Sequence, residues 1–597
     1  MSWWKRVREK GFKALTTIVG QRDSASRIAR GVAAGFLAAA FPIPGVQIPL
    51  SLLFAWAFRG NKVVSIFPQF ISNAGTMLPL AVLQFKLGAW FWPGQTEHGL
   101  SRLVEAAKAF DCLMPWESAK AIFEVLGQVG LQAIGPLFIG VLLTGAVAAA
   151  AAYPLTLISI WAWRTSRRRR RLLRRKWRPR RRSLALPEGP APSPVEALVY
   201  CRNSTHFNMA EDAQLLVDGR QAFGQMLAAI QYAGASVDIE SYEIRDDATG
   251  QRFQQALIEA ARRRVRVRLL YDWIGSFGLG ESFVRPLVEA GVEVRVYHPL
   301  VLIRPRWAVN RRDHRKILVV DGAVGFTGGL NIADEYTAVA DGGEGWRDTH
   351  VRLAGKEVAG ALGRLFEQGW RAAVPYDRSM RPVARLKAAL RRRGRRPRFG
   401  PGQMPDLEAM VRKGGGVPVQ VMGNEEFHNR RRIHRAYLHA IRQAKRYILI
   451  ENAYFIPDRS IRRALRHAAR RGVTVAVAVA KHSDVYVAAL ASRSLYSELL
   501  SAGVRLFEWP RGMLHAKTAV IDDAWAIVGT YNFDHRSLWH QLEAVAVVAD
   551  PAFAARLRDQ TLADLAKCHE VSVLAHELRP WTQMLLDSAA YWLKYWL

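Results

Sequence analysis

Cysteine is nearly absent from this 597-residue chain: Cys112, Cys201 and Cys568 are the three it has. They are too few and too scattered for a disulfide framework or a thiolate metal site, and they fit a reducing compartment. No HExxH and no Cys/His cluster at ligand spacing occurs either, so neither a metal nor a cofactor is expected. A secretory signal is not expected, because MSWWKRVREKGFK is charged and aromatic where a signal peptide turns apolar. Acidic residues are in short supply, 51 against 85 Lys+Arg, which leaves a formal charge of +34 and points to an anionic partner, phospholipid or nucleic acid. Apolar residues are plentiful. At 50% hydrophobic and 23% charged the chain is not mainly disordered, and its length predicts more than one folded unit.

Acid is missing altogether from two stretches. Residues 164–182 hold 13 basic residues and residues 381–398 hold nine, together 22 of the 34 excess charges. A protein that tracks a nucleic-acid backbone spreads its charge along a groove, so a nucleic-acid partner is not expected and an anionic bilayer is. The first block follows directly on the last of three apolar stretches, 31–58, 63–92 and 131–163. At about 20 residues per crossing each is long enough to span a bilayer. Pro42, Pro44 and Pro49 interrupt the first, Pro68 and Asn73 the second, Pro136 and Pro154 the third, so broken or re-entrant helices are expected. Basic residues flank both ends, which by the positive-inside rule places both ends in the cytoplasm and implies an even number of crossings. Residues 30–80 resemble a small bacterial membrane-domain family of uncharacterised function, through Pro42, Gly45, Gln47, Arg59, Asn61, Asn73 and Pro79. That likeness brings no chemistry with it.

Beyond the proline-stiffened PEGPAPSP at 187–194, short apolar strands alternate with helical segments, an α/β pattern. An internal repeat is visible: ALIEAARRRVRV from Ala256 matches ALRHAARRGVTV from Ala464, and EAGVEV from Glu289 matches SAGVRL from Ser501. Two similar lobes are therefore expected. Each carries one HxK segment with the same downstream spacing. His314, Lys316, Asp321, Gly328 and Asn331 in the first correspond to His515, Lys517, Asp522, Gly529 and Asn532 in the second.

HRKILVV and HAKTAVI read as strands, so His and Lys two apart project from one face. Asp321-Gly322 and Asp522-Asp523 suit tight turns into a second strand, and the acids there are read as fixing the hairpin rather than as catalytic. Gly328 and Gly529 let the backbone approach a ligand, and the asparagines offer amides to an anionic oxygen. Two such lobes facing one volume supply a nucleophile, a proton donor and fixed positive charge, the needs of phosphodiester chemistry, without a metal.

HxKxxxxD followed by G-G/T-x-N resembles the signature of the phospholipase D superfamily. GGLNIADEY from Gly328, WRDTHVRL from Trp346, IENAYFIPD from Ile450 and MLHAKTAVIDD from Met513 resemble its bacterial cardiolipin synthases. The likeness spans about residues 199–554. It implies two phospholipase D-type lobes of mixed sheet flanked by helices sharing one active site, a transient phosphohistidine, a second histidine as general acid, and no metal. By the same analogy His314 is the nucleophile, and Asp348 and Glu543 match the acids that such proteins place some way after each histidine to orient an imidazole. Thr530, where the pattern more often has Gly or Ser, departs from it and is expected to be harmless.

The resulting layout is an α-helical membrane domain (1–165), a basic and proline-rich linker (166–195), lobe 1 (196–380), a basic inter-lobe linker (381–415), lobe 2 (416–570) and an amphipathic aromatic tail (571–597). The implied function is phosphatidyl transfer at the cytoplasmic face of a bacterial inner membrane by a multi-pass protein, with phosphatidylglycerol as donor and acceptor. Hydrolytic phospholipase D activity and nucleic-acid phosphodiesterase activity are the alternatives. The insert 301–312 is read as dipping beside the site or as a surface loop, and the tail as an interfacial helix or as packed on the domain.

Overall fold

The computed structural model describes residues 23–41, 46–70, 74–92, 131–174, 184–190, 192–201, 207–299, 311–379, 415–424 and 430–595. Pro42, Pro44, Gly45, Asn73, Cys112, residues 175–182 of the first basic stretch, residues 301–310 of the insert and the basic stretch 381–398 lie outside them. The chain falls into two units, Met1–Arg178 and Pro179–Leu597.

The first unit is helical. Helices Ala25–Ala39, Gln47–Ala57 and Ala74–Ala89 precede one long helix, Leu131–Arg174. Of the described helices only the last, through Ile134–Trp163 and its 30 residues, is long and apolar enough to cross a membrane. A spanning helix in each of the three apolar stretches is not what the structure shows. Asn61 starts a new short helix, its Oδ1 accepting from the Val64 N–H at 3.1 Å, and Pro68 sits in a 3₁₀ turn, Phe67–Phe70, so the second stretch is divided at its start. Buried glutamines stitch these pieces together: Gln84 Nε2 donates to Ala40 O at 2.8 Å and Gln69 Nε2 to Gly35 O at 2.9 Å. Gly88 and Gly140 lie where an added Cβ would strike the backbone of Pro136 and Gln84, the close helix contact that small residues permit.

The second unit holds both lobes. In lobe 1 the strands are β2 (Asp212–Val217), β3 (Ser236–Ser241), β4 (Arg266–Asp272), β5 (Glu293–Tyr297), β7 (Ile317–Val320), β8 (Val324–Gly328), β9 (Thr349–Ala354) and β10 (Val374–Pro375). They lie side by side in the order β10-β5-β4-β3-β7-β8-β9-β2. Lobe 2 repeats the arrangement with β11 (Val417–Gly423), β12 (Tyr447–Asn452), β13 (Thr474–Ala480), β14 (Arg505–Trp509), β15 (Lys517–Ile521), β16 (Trp525–Gly529), β18 (Ala544–Val548) and β19 (His569–Glu570), ordered β11-β18-β16-β15-β12-β13-β14-β19. The repeated helix-strand segments occupy equivalent places, helix Ala248–Arg262 before β4 and helix Arg459–Arg470 before β13. Asp247 and Asp458 cap those helices by accepting from Gly250 and Ile461 N–H groups.

Both faces of each sheet are buried. Leu318 and Val320 of β7 face one helical layer, while Ile317 and Val319 join a core shared with lobe 2, including Val520, Val528, Ala546 and the helices Lys356–Ala372 and Pro551–Lys567. The lobes thus share one hydrophobic interior. They also exchange chain. Strand β1 (Asn208–Ala210) pairs antiparallel with β11, and Ala197, Tyr200 and Cys201 pack into the core of lobe 2, so the segment assigned by sequence to the start of lobe 1 completes lobe 2 instead. In the tail, helix Trp581–Trp592 buries Met584, Asp587 and Ala590, with Asp587 paired to Arg579 at 3.0 Å and Arg493 at 3.3 Å, and leaves Trp581, Leu586, Trp592 and Tyr595 exposed. It packs on helix Tyr486–Leu500 by one face and presents aromatics on the other.

Each motif hairpin is pinned at its tip. Asp321 and Gly322, and in lobe 2 Asp522 and Asp523, have positive φ, which an Asp or Gly tolerates. Asp321 accepts from the N–H groups of Gly234, Ala235 and Ser236 at 2.7–2.9 Å, fastening the β7–β8 turn to the start of β3. Asp522 accepts from the N–H groups of Lys445, Arg446 and Tyr447 and from the Tyr200 hydroxyl at 2.8 Å. Asp522 is buried and Asp321 exposed, so the two anchors differ in worth. Asp522→Ala is expected to destabilise the unit by about 3 kcal/mol or more and Asp321→Ala by roughly half of that, since buried charge-assisted hydrogen bonds contribute most. Urea unfolding followed by tryptophan fluorescence measures both. Equal losses, or none at Asp522, would contradict the anchoring role.

Candidate active site

His314–Lys316 lead into β7, and Lys517 opens β15 just after His515. Each of these segments runs parallel to a segment of the other lobe. β6 (Arg312–Asp313) pairs with β17 (Gln541–Leu542), and the His314 N–H donates to Leu542 O at 2.9 Å. On the other side Arg347 bridges Leu514, the Arg347 N–H donates to Met513 O at 2.9 Å, and the His515 N–H donates to Arg347 O at 2.7 Å. The residue following each partner segment is the acid. Glu543 therefore stands beside His314 and Asp348 beside His515.

The side chains complete the crossing. His314 Nδ1 lies 3.1 Å from Glu543 Oε2 and His515 Nδ1 lies 2.7 Å from Asp348 Oδ2. The spacing of the acids along the chain does not say which histidine each serves, and the structure assigns each to the opposite lobe. An acid oxygen that accepts from Nδ1–H fixes that tautomer and leaves the lone pair on Nε2.

All the groups of the pattern are brought together. His314, Lys316, Asn331, Asp348, His515, Lys517, Asn532 and Glu543 are buried. Lys316 Nζ donates to its own motif's His314 O at 2.9 Å, and Lys517 Nζ likewise donates to His515 O, so His and Lys of each motif project to one side. Asn331 Nδ2 donates to the Tyr336 hydroxyl at 2.9 Å and to Glu243 Oε2 at 3.3 Å, while the Oδ1 atoms of Asn331 and Asn532 accept no hydrogen bond. Asp321 and Asp522 stay away, at the hairpin tips. A Cβ at Gly328 would lie 2.5 Å from His350 Cα, and one at Gly529 2.5 Å from Ala544 O, so both positions need glycine for packing against the neighbouring strand.

Several participants carry no repeat signal. Tyr336 places its hydroxyl 3.2 Å from His515 Nδ1, and its ring and those of Trp346 and Tyr454 surround the His515 imidazole. Tyr242 stacks edge-on against His314 at 5.0 Å, with Lys316 Nζ 5.2 Å from its ring centre. Thr530 does more than fit: its hydroxyl donates to Glu543, which also accepts from Ser537 Oγ at 2.7 Å. In lobe 1 the equivalent position is Gly329, where a Cβ would overlap the Asp348 carboxylate. The departure at Thr530 thus matches the acid it holds.

The two halves differ electrostatically. Burial raises Asp348, but the charges of Lys517 and His515 and the hydrogen bonds from the His515 ring and the Thr349 N–H outweigh it and hold the carboxyl at about 2. Burial dominates at Glu543 and pushes it up to about 8 in spite of Thr530, Ser537 and Lys316. Burial and then Lys517 bring His515 down to about 4, with Asp348 opposing, whereas burial and the lysines hold His314 well below the usual imidazole range. Burial lowers Lys316 to about 7, helped by Lys517, and Lys517 to about 8. The imidazoles are neutral at pH 7, and the lysines sit close to their point of protonation, where an arriving anion draws a proton onto them.

Comparison with known proteins follows the same lines. The family described as "Cardiolipin synthase, PLD-like domain" matches residues 226–370 and 437–564, one block in each lobe. An uncharacterised family conserved in bacteria matches residues 13–171. Cardiolipin synthase from Halalkalibacterium halodurans is 32% identical over 382 residues, 64% of this chain and 71% of that one. The Geobacillus kaustophilus cardiolipin synthase is 32% identical over 405 residues, 68% and 76% of the two chains. The one from Staphylococcus aureus (strain N315) is 31% identical over 378 residues, 63% and 72%. The fold is shared with a phosphatidylserine synthase crystal structure from Haemophilus influenzae, at 14% identity and a TM-score of 0.51 over 66% of this chain and 98% of that one. With two lobes of one fold, a duplicated motif, and relatives of this identity over more than two thirds of their length, the chain belongs to the cardiolipin synthase family of phospholipase D-type phosphatidyltransferases.

Proposed function

We propose that the chain transfers a phosphatidyl group from one phospholipid to the hydroxyl of a second, with phosphatidylglycerol in both roles and cardiolipin as product. The observation that carries this is the crossed pairing of His314 with Glu543 and His515 with Asp348, each at hydrogen-bond distance across the lobe boundary. His314, held against Glu543, attacks phosphorus through Nε2. His515, beside the ionised Asp348 carboxylate, takes up a proton at Nε2 when the anionic substrate binds, gives that proton to the departing alcohol and regains one from the incoming hydroxyl. Lys316 and Lys517, which take protons from solvent as the bound anion stabilises their ammonium forms, with the amides of Asn331 and Asn532, offset the charge on the non-bridging oxygens. Positive charge for the transition state therefore comes from side chains, with no metal or other cofactor. The cardiolipin synthases it resembles support the substrate class.

The helix Ile134–Trp163 anchors the protein in the membrane, and the basic stretch 164–182 draws anionic lipid to the cytoplasmic face. Multi-pass insertion, with both ends of residues 1–165 in the cytoplasm, is part of the same reading. The exposed Trp581, Leu586, Trp592 and Tyr595 suit contact with a lipid interface.

Four outcomes test this. Mass spectrometry of lipids after incubating the full chain with phosphatidylglycerol vesicles should show cardiolipin, undiminished by exhaustive chelation. His314→Ala and His515→Ala should each lower the rate on the order of a thousandfold or more, and labelled phosphatidyl should be trapped on His314 in the His515→Ala background; trapping on His515 in the His314→Ala background would reverse the roles. Asp348→Asn should reduce kcat far more than Glu543→Gln at pH 7, on the order of 10³ against about tenfold, because only Asp348 is an anion there. Equal losses would remove the proposed asymmetry. In spheroplasts, external protease should leave the segment after Arg182 intact; cleavage there would put the lobes outside.

A further inference from the structure

The two copies of the duplicated helix have diverged on their outer face. Helix Arg459–Arg470 turns Ile461, Ala464, Leu465 and Ala468 into the core of lobe 2, and its side left to solvent carries Arg459, Arg463, His467 and Arg470. Among the described residues none of these arginines has a hydrogen-bond or ion-pair partner. The neighbouring acid, Glu498, is taken by Arg462 at 3.0 Å and Arg466 at 2.6 Å. At the matching positions of lobe 1, helix Ala248–Arg262 has Gln251, Gln255, Glu259 and Arg262, and Gln255 Nε2 donates to Glu259 at 2.8 Å. The shared fold does not require the added charge, because the lobe 1 helix forms without it.

The tail lies against the same helix. Arg462 Nη1 donates to the Tyr591 hydroxyl at 3.1 Å. Ala590 and Tyr591 belong to a cluster with Ile456, Ala488 and Leu495 that also packs Tyr454, and the Tyr454 ring lies 6.3 Å from the His515 ring. At its end Tyr595 meets the His535 ring at 4.8 Å, just beyond Asn532 in the chain. The tail therefore ends on the His515 side of the site, where an alcohol leaves and enters in line with a phosphorus held by His314. There Trp592 is 68% exposed, with Leu593 and Tyr595 also open to solvent. Arginine forks suit lipid phosphates, and indole and phenol rings suit the boundary between headgroups and hydrocarbon. An acidic protein matches the charge alone, whereas an anionic bilayer matches both the charge and the rings.

We propose that the arginine face of helix Arg459–Arg470 and the aromatic face of the tail together dock the catalytic unit on an anionic bilayer, with the His515 side of the site turned to the lipid surface. This deepens the reading of phospholipid as substrate and rests on it. Docking is distinct from anchoring: the helix Ile134–Trp163 keeps the protein in the membrane, and this face orients the catalytic unit. Lipid headgroups then reach the site without leaving the surface. Lobe 1, whose matching helix lacks the charge, takes no part in the contact.

The rate on a bilayer divided by the rate on a monomeric substrate tests it. The full chain is placed in phosphatidylcholine vesicles holding a minor share of phosphatidylglycerol, and separately in phosphatidylcholine nanodiscs supplied with soluble short-chain phosphatidylglycerol. The soluble lipid needs no docking, and the ratio is insensitive to the fraction of folded protein. Arg459→Gln with Arg463→Gln should lower the ratio about tenfold at low ionic strength, and the gap from the wild type should close to about twofold in high salt, which screens the surface charge. Trp592→Ala should lower it about threefold, and Trp592→Phe should restore it. Arg262→Gln with Arg264→Gln, the same change of charge in lobe 1, should keep it within about twofold of the wild type. An unchanged ratio in the Arg459 and Arg463 variant overturns the bilayer as occupant and leaves the face to an acidic protein, with phosphatidyl transfer still standing. An equal fall in the lobe 1 variant overturns the assignment to this face, and no fall in Trp592→Ala overturns the tail's share. No cardiolipin from the wild type on either substrate overturns both readings.

Discussion

Everything at the centre of the catalytic unit hangs on two short parallel pairings across the lobe boundary, Arg312–Asp313 with Gln541–Leu542 and Leu514 with Arg347. They set the backbone of each motif histidine against the chain that carries the other lobe's acid. Neither lobe alone contains an oriented imidazole. The buried ion pairs around these segments hold them in register: Arg315 between Asp313 at 2.6 Å and Glu240 at 2.9 Å, and Arg347 with Asp564 at 2.7 Å. Such pairs contribute little net stability after desolvation, but they penalise any shifted arrangement that leaves one charge alone.

Duplication supplies two like halves, and the chemistry needs unlike ones. Small local differences provide the divergence. A threonine and a serine hold a glutamate on one side, while on the other a glycine leaves room for a shorter aspartate held by the Thr349 N–H at 2.7 Å. The glutamate, buried among hydroxyls, keeps its proton to higher pH; the aspartate, beside Lys517, does not. The two imidazoles thereby face unlike acids, although both sit in the same fold and the same motif.

Much of this is written in the chain at separations that local reasoning can follow. The repeat of helix and strand marks two lobes, and the HxK spacing marks which side chains share a face, because both depend on residues near each other in sequence. What local spacing does not carry is the partner across 229 residues, so the crossing of Glu543 to His314 stays invisible until the sheets are placed. The same holds for Thr530, whose role depends on an acid in another strand, and for Tyr336, which sits in the quoted GGLNIADEY but shows its purpose only through its contact with His515. In the first unit, hydropathy marks apolar stretches but not where they break. Asn61 as a cap sets the break in the second stretch, while the third runs as one helix through Pro136 and Pro154, where a break was expected.

The exchange of β1 also bears on how the protein is made. During synthesis Asn208–Ala210 leaves the ribosome before any of lobe 1, yet its partner strand, Val417–Gly423, appears only after lobe 1 is complete. The segment must therefore wait, unpaired, while an entire lobe of alternating strands forms beside it. Its brevity, three residues, makes it a poor template for wrong pairing during that interval. The arriving second lobe then closes a long loop as it captures the strand, so the last edge of its sheet and the joining of the two lobes become a single late event.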